Sequence, residues 1–317
     1  MNLFEALRLK LEDEDREKMH PELRRVLDIP SIAQRTPEWY KARHDLITAS
    51  SCCDAMGENP YDRTARQKLI ENKSTTDPEI YSGNIYTIHG TRFEPVATMF
   101  YEMIFGVRAY ETGLILHPSI SFIGASPDGL CEDGRMIEIK CPLRRKIKKK
   151  GKLNGEICPH YYWIQVQVQL EVCDLERCDF WQCNLREFDS FEEWYDWKPV
   201  SPMLVAYQPE LKEWNGPRKG IYLLMADGSI IYPQNHIILM TETEWTSWVV
   251  WSLENSNKSL ERIVYWRLDD CFNQPVYRDK KWFQSEGHPK LEKFWEDVLS
   301  MRNAGGPKPL SFYDESP

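Results

Sequence analysis

No stretch of this sequence is apolar enough to cross a membrane or to act as a secretion signal. A spanning helix needs a run of about 18 apolar residues, and no such run occurs. The N-terminal segment LRLKLEDEDREK is charged where a signal peptide has its apolar centre. Internal repeats and low-complexity tracts are also missing. We therefore expect a globular, intracellular protein.

The cysteines do not follow a zinc-binding pattern. Cys52 and Cys53 are adjacent, while Cys173, Cys178 and Cys183 follow one another at five-residue steps. Zinc sites usually draw on closely spaced cysteine pairs, often combined with histidines. The total of nine is also odd, so the residues cannot all pair in disulfides. We expect reduced thiols.

The chain has no overall excess of positive charge. Its net charge of −9 argues against a protein that coats nucleic acid over its whole surface, but a local basic groove remains compatible with it. Seven of the nine residues in 144–152 (RRKIKKKGK) are basic. Such a block is typical of a solvated face, a phosphate-binding surface or a nuclear localisation signal. Its place in the chain, directly after the segment described next, favours phosphate binding.

The segment Gly124–Pro142, GASPDGLCEDGRMIEIKCP, contains the strongest functional pattern. Ile120–Ala125 is apolar and Met136–Cys141 alternates apolar and charged residues, so both are predicted to be strands. Asp133 and Gly134 are predicted to form the hairpin turn between them. The segment therefore predicts a hairpin with acidic residues along it.

Three charged residues are expected to meet on this hairpin. Asp128 follows one strand, while Glu138 and Lys140 are two residues apart and share a face of the other. Two nearby carboxylates repel by roughly 4 kcal/mol at an effective dielectric near 20. A divalent cation bound between them makes the electrostatic energy of the site favourable. Oxygen ligands suit Mg²⁺ or Mn²⁺, and the lysine can orient or deprotonate an attacking water. The alternative is a hairpin whose Asp128 caps a turn and whose other two residues form a solvated ion pair.

Periodicity and capping residues predict the elements around this hairpin. Helices are predicted at 3–27 in one or two peripheral pieces, from Thr36 onward, and at 48–56, 64–72, 96–105, 241–253 and 290–301. Strands are predicted at 178–185, 220–232 (a hairpin) and 262–267, while 160–172 fits either a helix or a strand. Glu94 is expected in the first turn of the helix at 96–105, where the helix dipole alone would favour a carboxylate.

With these elements in order, the chain resembles the phage lambda exonuclease family, also called YqaJ-type viral recombinases, of the PD-(D/E)xK nuclease superfamily. The resemblance is carried by motifs in the family's order and at similar spacing, over about residues 34–188. They are QRTPEWYKARHDLITAS (34–50), GTRFEP (90–95), GASPDGL…IEIKCP (124–142) and YYWIQVQVQ (161–169). Including NPY (59–61), the match looks closest to the branch found in large DNA viruses.

The resemblance implies an α/β fold, in which helices flank a mixed central β-sheet with a restriction-endonuclease-like core. Residues 1–33 would be a helical extension and 34–188 the nuclease core. Residues 189–317 would pack on that core as additional strands and helices. The family's trimeric ring is one expectation for the oligomeric state, although this long C-terminal part could block or replace its interfaces.

The resemblance also implies the site residues. The ligands of one or two Mg²⁺ or Mn²⁺ ions would be Asp128, Glu138, the Ile139 carbonyl and Glu94. Lys140 would position the attacking water, and Gln165 would support the lysine and the scissile phosphate. The residues that bind the 5′-phosphate and the DNA backbone would be Arg43, Ser50, Ser126, Arg144, Arg145 and Lys146.

The activity implied is metal-dependent 5′ to 3′ digestion of double-stranded DNA from 5′-phosphorylated ends to 5′-mononucleotides, in viral DNA recombination, repair or replication. A single-strand annealing protein is the partner implied, and the host cytoplasm is favoured over the nucleus. Two alternatives stay open. The same site could serve a structure-specific endonuclease or an RNA nuclease, or the fold could be a non-catalytic module that binds DNA ends.

Overall fold

The computed structural model describes residues 19–75, 83–205, 213–233 and 241–306. The helices are α1 (Pro21–Leu27), α2 (Pro37–His44), α3 (Cys52–Ala55), α4 (Ala65–Ser74), α5 (Ile85–Phe105), α6 (His160–Cys173), α7 (Phe191–Asp196), α8 (Glu242–Asn255), α9 (Lys280–Trp282) and α10 (His288–Asn303). The strands are β1 (Ile47–Thr48), β2 (Ala109–Tyr110), β3 (Ile115–Leu116), β4 (Ile123–Ala125), β5 (Gly129–Cys131), β6 (Met136–Lys140), β7 (Arg177–Glu187), β8 (Met203–Leu204), β9 (Glu213–Trp214), β10 (Lys219–Met225), β11 (Ile230–Ile231) and β12 (Leu260–Tyr277). Within these ranges, no helix is both long and apolar enough to span a membrane.

A seven-stranded sheet in the order β11-β10-β12-β7-β6-β5-β2 forms the centre of the molecule. β6 and β7 are parallel, with Glu138 opposite Phe180, whereas β7 pairs antiparallel with β12 and β5 pairs antiparallel with β6. The side chains of α5 pack with one apolar cluster and those of α6 with another. The predicted α/β fold with a mixed central sheet and flanking helices is thereby confirmed. Of the C-terminal strands, β10, β11 and β12 join this sheet, while β8 and β9 pair with each other.

The alternation of β6 determines where its charged residues point. Ile137 and Ile139 enter the apolar cluster that includes α5, while Met136 enters the cluster that includes α6. Because successive strand residues face opposite sides, Glu138 and Lys140 share the side of Met136. The two charged residues therefore project toward α6.

The predicted hairpin is correct at its turn and wrong in its first strand. β6 pairs with β5, and Gly134 in the turn between them has a φ of 82°, a conformation that glycine adopts without strain. β4 instead lies between β1 and β3 in a separate three-stranded sheet. The Pro127-Asp128 turn between β4 and β5 moves the chain from one sheet to the other, which places Asp128 at the junction of the two sheets.

The helix predicted at 96–105 begins earlier than the sequence suggests. α5 starts after Asn84, whose side chain accepts from the backbone N–H groups of Tyr86 and Thr87 in a capping box, and Pro95 lies inside the helix. The prediction that Glu94 occupies the first turn is therefore wrong, and the helix dipole cannot explain a carboxylate at this position. The predicted end is correct, because Gly106 adopts the left-handed conformation (φ 65°) that terminates helices.

The ambiguous segment at 160–172 is a helix. α6 contacts β3 and β4 of the small sheet as well as β7 and β12 of the large one. It is buried almost all round, including Gln167 and Gln169 at 1% exposure each. This explains why valine–glutamine alternation did not distinguish helix from strand, since a helix buried on every side has no polar face to reveal its period.

Most other predicted elements are confirmed, although at 48–56 the α-helix covers only Cys52–Ala55 after a 3-10 turn. α2 is capped by Thr36, which accepts from the backbone N–H of Trp39, and the helices and strands predicted near 48–56, 64–72, 178–185, 220–232, 241–253, 262–267 and 290–301 are present. Residues 1–18 of the predicted N-terminal helices lie outside the described residues. α1 buries Leu23 and Val26 in the core and leaves Pro21 and Arg25 exposed.

All nine cysteines are free, buried thiols, as the reduced-thiol prediction requires. Burial raises the pKa of Cys52 above its usual range, as it does for Cys141. The cysteines therefore act as small apolar core residues.

Candidate active site

Glu138 is the centre of the site and is only 1% exposed. Its Oε1 accepts a hydrogen bond from Gln165 Nε2 at 2.7 Å and another from the Lys140 ammonium group. Its Oε2 accepts from Gln169 Nε2 at 2.6 Å. Both carboxylate oxygens are thus held by residues of α6 and β6, which fixes the orientation of the acid.

Lys140 is an ammonium group in this arrangement. Burial opposes its charge, but Glu138, Tyr162 and Asp128 together raise the pKa of Lys140 above its ordinary value. Its Nζ lies 4.7 Å from the centroid of the Tyr162 ring, a cation–π contact. A lysine held as an ammonium group can donate hydrogen bonds to a water or to a phosphate oxygen.

Asp128 stands where the chain passes from β4 to β5. Its Oδ2 accepts from the backbone N–H of Ile139 at 2.6 Å, which ties the acid to the strand that carries Glu138. Burial and repulsion from Glu138 and Glu94 raise the pKa of Asp128 well above its usual range. The site therefore concentrates negative charge that nearby protein cations do not fully balance.

Glu94 reaches the same region from the middle of α5. Arg35 Nη2 donates to its Oε1 at 3.1 Å, and Arg35 itself has a φ of 64° that is uncommon for a residue with a side chain. Burial raises the pKa of Glu94 and Glu138 adds to this effect, while Arg35 opposes it. The three predicted acids thus interact electrostatically, although Glu94 is paired with an arginine that the sequence did not suggest.

The donor set fits a hard divalent cation. In the part of the chain that is described, no group of three or more His, Cys, Asp or Glu side chains is placed so that it could hold a metal ion. Mg²⁺ does not require such a group, because it usually takes one or two carboxylates and keeps several waters. Burial, followed by repulsion from Glu138 and Glu94, raises the pKa of Asp128, and a bound cation would offset both effects. Asp128 and Glu138 are the residues that would hold it.

The predicted 5′-phosphate residues are connected through Trp39. Arg43 Nη2 donates to Ser50 Oγ at 3.1 Å, and the guanidinium carbon lies 4.2 Å from the Trp39 ring centroid. Trp39 Nε1 in turn donates to Ser126 Oγ at 3.2 Å. The structure therefore brings Arg43, Ser50 and Ser126 together. Trp39 was not identified from the sequence, although its i,i+4 spacing from Arg43 on α2 indicates the contact.

A buried cation lies behind this pocket. Lys73 is 4% exposed and donates to the backbone carbonyls of Arg43 at 2.9 Å and Leu46 at 2.5 Å. Burial lowers the pKa of Lys73 to about 8 and that of Arg43 to about 10. Among the described residues neither side chain forms an ion pair with a carboxylate. Among the described residues Asp45 offsets part of the charge of Lys73, so the positive charge of the pocket is only partly balanced. No sequence signal pointed to Lys73.

The basic segment 144–152 is divided between anchored and exposed residues. Arg145 Nη2 donates to Gln182 Oε1 at 2.8 Å, and Lys149 Nζ lies 2.5 Å from Asp270 Oδ1. Arg144 and Lys146 are exposed, and the guanidinium of Arg144 is 5.8 Å from the Tyr86 ring centroid. DNA binding by Arg144, Arg145 and Lys146 stays a prediction, as does the Ile139 carbonyl as a metal ligand.

Two further residues complete the surroundings of Glu138 and Lys140. Gln169 binds the second oxygen of Glu138, and Tyr162 lies against Lys140. Neither was assigned to the site from the sequence. Tyr162, Gln165 and Gln169 nevertheless fall at three- and four-residue spacing on one helical face, which is the signal that could have identified them.

The fold and the site together define a class of mixed α/β proteins. In this class two carboxylates and a lysine of the sheet region meet beside a glutamine that a helix supplies. Residues 38–176 match the YqaJ-like viral recombinase domain. The resemblance seen in the sequence is thereby confirmed over this part of the chain.

An uncharacterised protein of Acanthamoeba polyphaga mimivirus supports the viral branch. It is 32% identical over 87% of this chain and 54% of its own length, so the chain spans about half of that relative.

Two solved structures are similar over most of the chain at low identity. The alkaline exonuclease of Laribacter hongkongensis is 22% identical with a TM-score of 0.47, covering 85% of this chain and 95% of its own. A phage related exonuclease from Haemophilus somnus 129PT is 12% identical with a TM-score of 0.41, covering 80% and 95%.

Proposed function

We propose that this protein is a divalent-metal-dependent nuclease that digests duplex DNA in the 5′ to 3′ direction from 5′-phosphorylated ends and releases 5′-mononucleotides. The observation that carries this proposal is the convergence of Asp128, Glu138, Lys140 and Gln165 at one place in the sheet. Two carboxylates that can hold a metal ion and a lysine that can orient water are a set of groups able to hydrolyse a phosphodiester with an activated water.

The side chains divide the chemical work between them. A bound Mg²⁺ or Mn²⁺ would polarise the phosphodiester and make water a better nucleophile. Asp128 and Glu138 would hold that cation, while Gln165 and Gln169 keep Glu138 in one rotamer. The Lys140 ammonium group donates hydrogen bonds and so orients either the attacking water or a phosphate oxygen.

Recognition of the chain end is assigned to the pocket of Arg43, Ser50 and Ser126. A terminal phosphate monoester carries about −1.5 to −2 charge at neutral pH, more than the single charge of an internal diester. Arg43 and Lys73 supply positive charge that the described carboxylates balance only in part, with Asp45 acting on Lys73. The electrostatic difference therefore favours a 5′-phosphorylated end and gives digestion its polarity.

The test is digestion of three DNAs side by side in the presence of Mg²⁺ or Mn²⁺. The linear duplex with a 5′-phosphate should be degraded fastest, the 5′-hydroxyl duplex more slowly, and the covalently closed circle should stay intact. Arg43→Ala should remove the difference between the two linear substrates. Equal rates on both ends in the unmodified protein would contradict the pocket, and a cut circle would favour an endonuclease.

The catalytic assignment is tested separately with Asp128→Ala and Lys140→Ala. Both variants should lose cleavage while still folding and binding DNA. Glu132→Gln, an exposed acid in the turn of the same hairpin, should keep full activity as the matched control. Cleavage by a pure Asp128→Ala protein would end the nuclease assignment at this site. DNA binding without cleavage by the unmodified protein, with either metal, would favour the non-catalytic module.

A further inference from the structure

Tyr61 presents an aromatic ring to solvent close to the proposed catalytic residues. The residue is 78% exposed, so its ring gains little from packing within the protein. Its backbone is nevertheless held firmly, because Asn59 Oδ1 accepts from the N–H groups of Tyr61 at 2.8 Å and Asp62 at 3.2 Å. Asn59 Nδ2 also donates to Asp54 Oδ1 at 2.7 Å. The exposed ring therefore sits on a fixed turn.

A line of aromatic contacts connects this ring with Lys140. The ring centroids of Tyr61 and Tyr161 are 5.6 Å apart in an edge-on arrangement, and those of Tyr161 and Tyr162 are 4.2 Å apart. Tyr162 then lies 4.7 Å from Lys140 Nζ. Tyr161 is itself partly exposed. An open aromatic surface thus begins at Tyr61 and ends beside the proposed catalytic lysine.

Cations accompany these rings. The Arg145 guanidinium carbon lies 5.9 Å from the Tyr162 centroid, and the basic segment 144–152 continues from there. Aromatic rings beside cations suit a ligand that has flat π faces and an anionic backbone. Nucleic acid has both, since bases stack on aromatic rings while phosphates meet basic residues.

We propose that Tyr61 and Tyr161 form a stacking surface for a nucleobase of the DNA next to the cleaved phosphodiester. The proposal rests on the proposed function for the identity of the ligand as DNA. A stacked base would fix the position of its nucleotide relative to Lys140 and Glu138. Because every base has a π face, this surface would bind DNA without preference for sequence.

The test measures stacking directly, without cleavage. Duplexes carrying 2-aminopurine at single positions near a 5′-phosphorylated end are mixed with the full chain in EDTA, and the fluorescence and affinity are recorded. Stacking should quench 2-aminopurine at one position near the end. Tyr61→Ala should abolish that quenching and weaken binding by about 5- to 150-fold. Tyr61→Phe keeps the ring and should behave as the unmodified protein.

Tyr277→Ala is the matched control, since Tyr277 is also exposed, at 64%, but lies at the end of β12 outside this line of rings. It should change neither quenching nor affinity. An unmodified protein that quenches no position, or a folded Tyr61→Ala variant that quenches and binds normally, would overturn the stacking surface. If the unmodified protein digests DNA and Tyr61→Ala changes neither quenching nor affinity, the stacking surface is rejected and the nuclease assignment is kept. If the unmodified protein quenches 2-aminopurine but digests no DNA with either metal, the nuclease assignment is rejected and the stacking surface is kept.

Discussion

Individual hydrogen bonds determine how the acids of the site are presented. Glu138 accepts from Gln165, Gln169 and Lys140, so its two oxygens are directed by three different side chains. Replacing a residue that orients a metal-binding carboxylate typically costs about 10- to 100-fold in metal affinity or activity. Gln169 is the member of this set that is fully buried and has no other assigned role.

Replacing Gln169 should therefore weaken metal binding at the site without abolishing cleavage. Gln169→Leu removes the donor to Glu138 Oε2 and is expected to raise the Mg²⁺ concentration for half-maximal cleavage by about 10- to 100-fold. Gln167→Leu is the control, because Gln167 is equally buried on the same helix but bonds to Tyr277 and Asp279. Identical metal titrations for the two variants would contradict the role of Gln169.

Lys73 should make stability depend on pH in an unusual direction. Burial, followed by the nearby charges of Arg43 and Arg302, lowers its pKa from 10.5 to about 8. Between these values the unfolded chain holds a proton that the folded chain has released, so the unfolding free energy rises with pH. The cost of burying the charge is full below pH 8 and is removed by about pH 10.5.

The measurement is urea unfolding at pH 7 and pH 10 for the unmodified protein and Lys73→Met. The unfolding free energy of the unmodified protein minus that of Lys73→Met should rise by about 2 to 3 kcal/mol from pH 7 to pH 10. Lys68→Met, on the same helix with a 67% exposed side chain, should show no such change. A pH-independent difference for Lys73→Met would contradict the assignment.

At the scale of elements, Asp179 joins four parts of the structure. This β7 residue is fully buried and accepts from Arg135 Nη1 at 2.8 Å, Arg177 Nη2 at 2.8 Å, Tyr101 Oη at 2.7 Å and Asn273 Nδ2 at 2.9 Å. These partners belong to the β5–β6 turn, β7, α5 and β12 respectively. The carboxylate therefore holds the strand that carries Glu138 in register with its neighbours.

Asp179→Asn should be strongly destabilising. The variant leaves the guanidinium groups of Arg135 and Arg177 without their buried counter-ion, and breaking such a pair costs about 3–5 kcal/mol. Chemical denaturation measures the loss of unfolding free energy. Asp189→Asn, an exposed acid two residues beyond the end of β7, should change stability very little. Equal effects of the two substitutions would refute the joining role of Asp179.

At the scale of the whole molecule, the C-terminal third completes the sheet. β12 pairs with β7 from Glu187 back to Arg177, and β10 pairs with the other edge of β12. Trp266 and Val264 of β12 lie in the same apolar cluster as residues of α5. We therefore propose that the segments 34–188 and 189–317 fold together although their motifs are separate.

A chain that ends at residue 188 is expected to be insoluble. It would expose one full edge of β7, and long unpaired strand edges promote aggregation. Expression of residues 1–188 beside the full chain, followed by size-exclusion chromatography, checks this expectation. A soluble, monodisperse and active fragment would show instead that the C-terminal strands are dispensable. The trimeric ring stays a prediction, and chromatography of the full chain with light scattering measures it.

Local patterns determined much of this protein in the sequence alone. The period of two in β6 placed Glu138 and Lys140 on one face, and Thr36 set the start of α2 through its cap. These features depend on neighbours a few residues apart, so they are readable without the fold. The motif order likewise identified the YqaJ-like domain.

Only the tertiary structure decided which distant residues meet. It placed Glu94 in the middle of α5, separated β4 from the large sheet, linked Arg43 to Ser126 through Trp39 and buried Lys73 behind that pocket. Each result depends on the packing of elements far apart in the chain. Burial and repulsion between Asp128, Glu138 and Glu94 likewise arise only when the two sheets and α5 come together, because charges on separate segments interact through space and not through sequence.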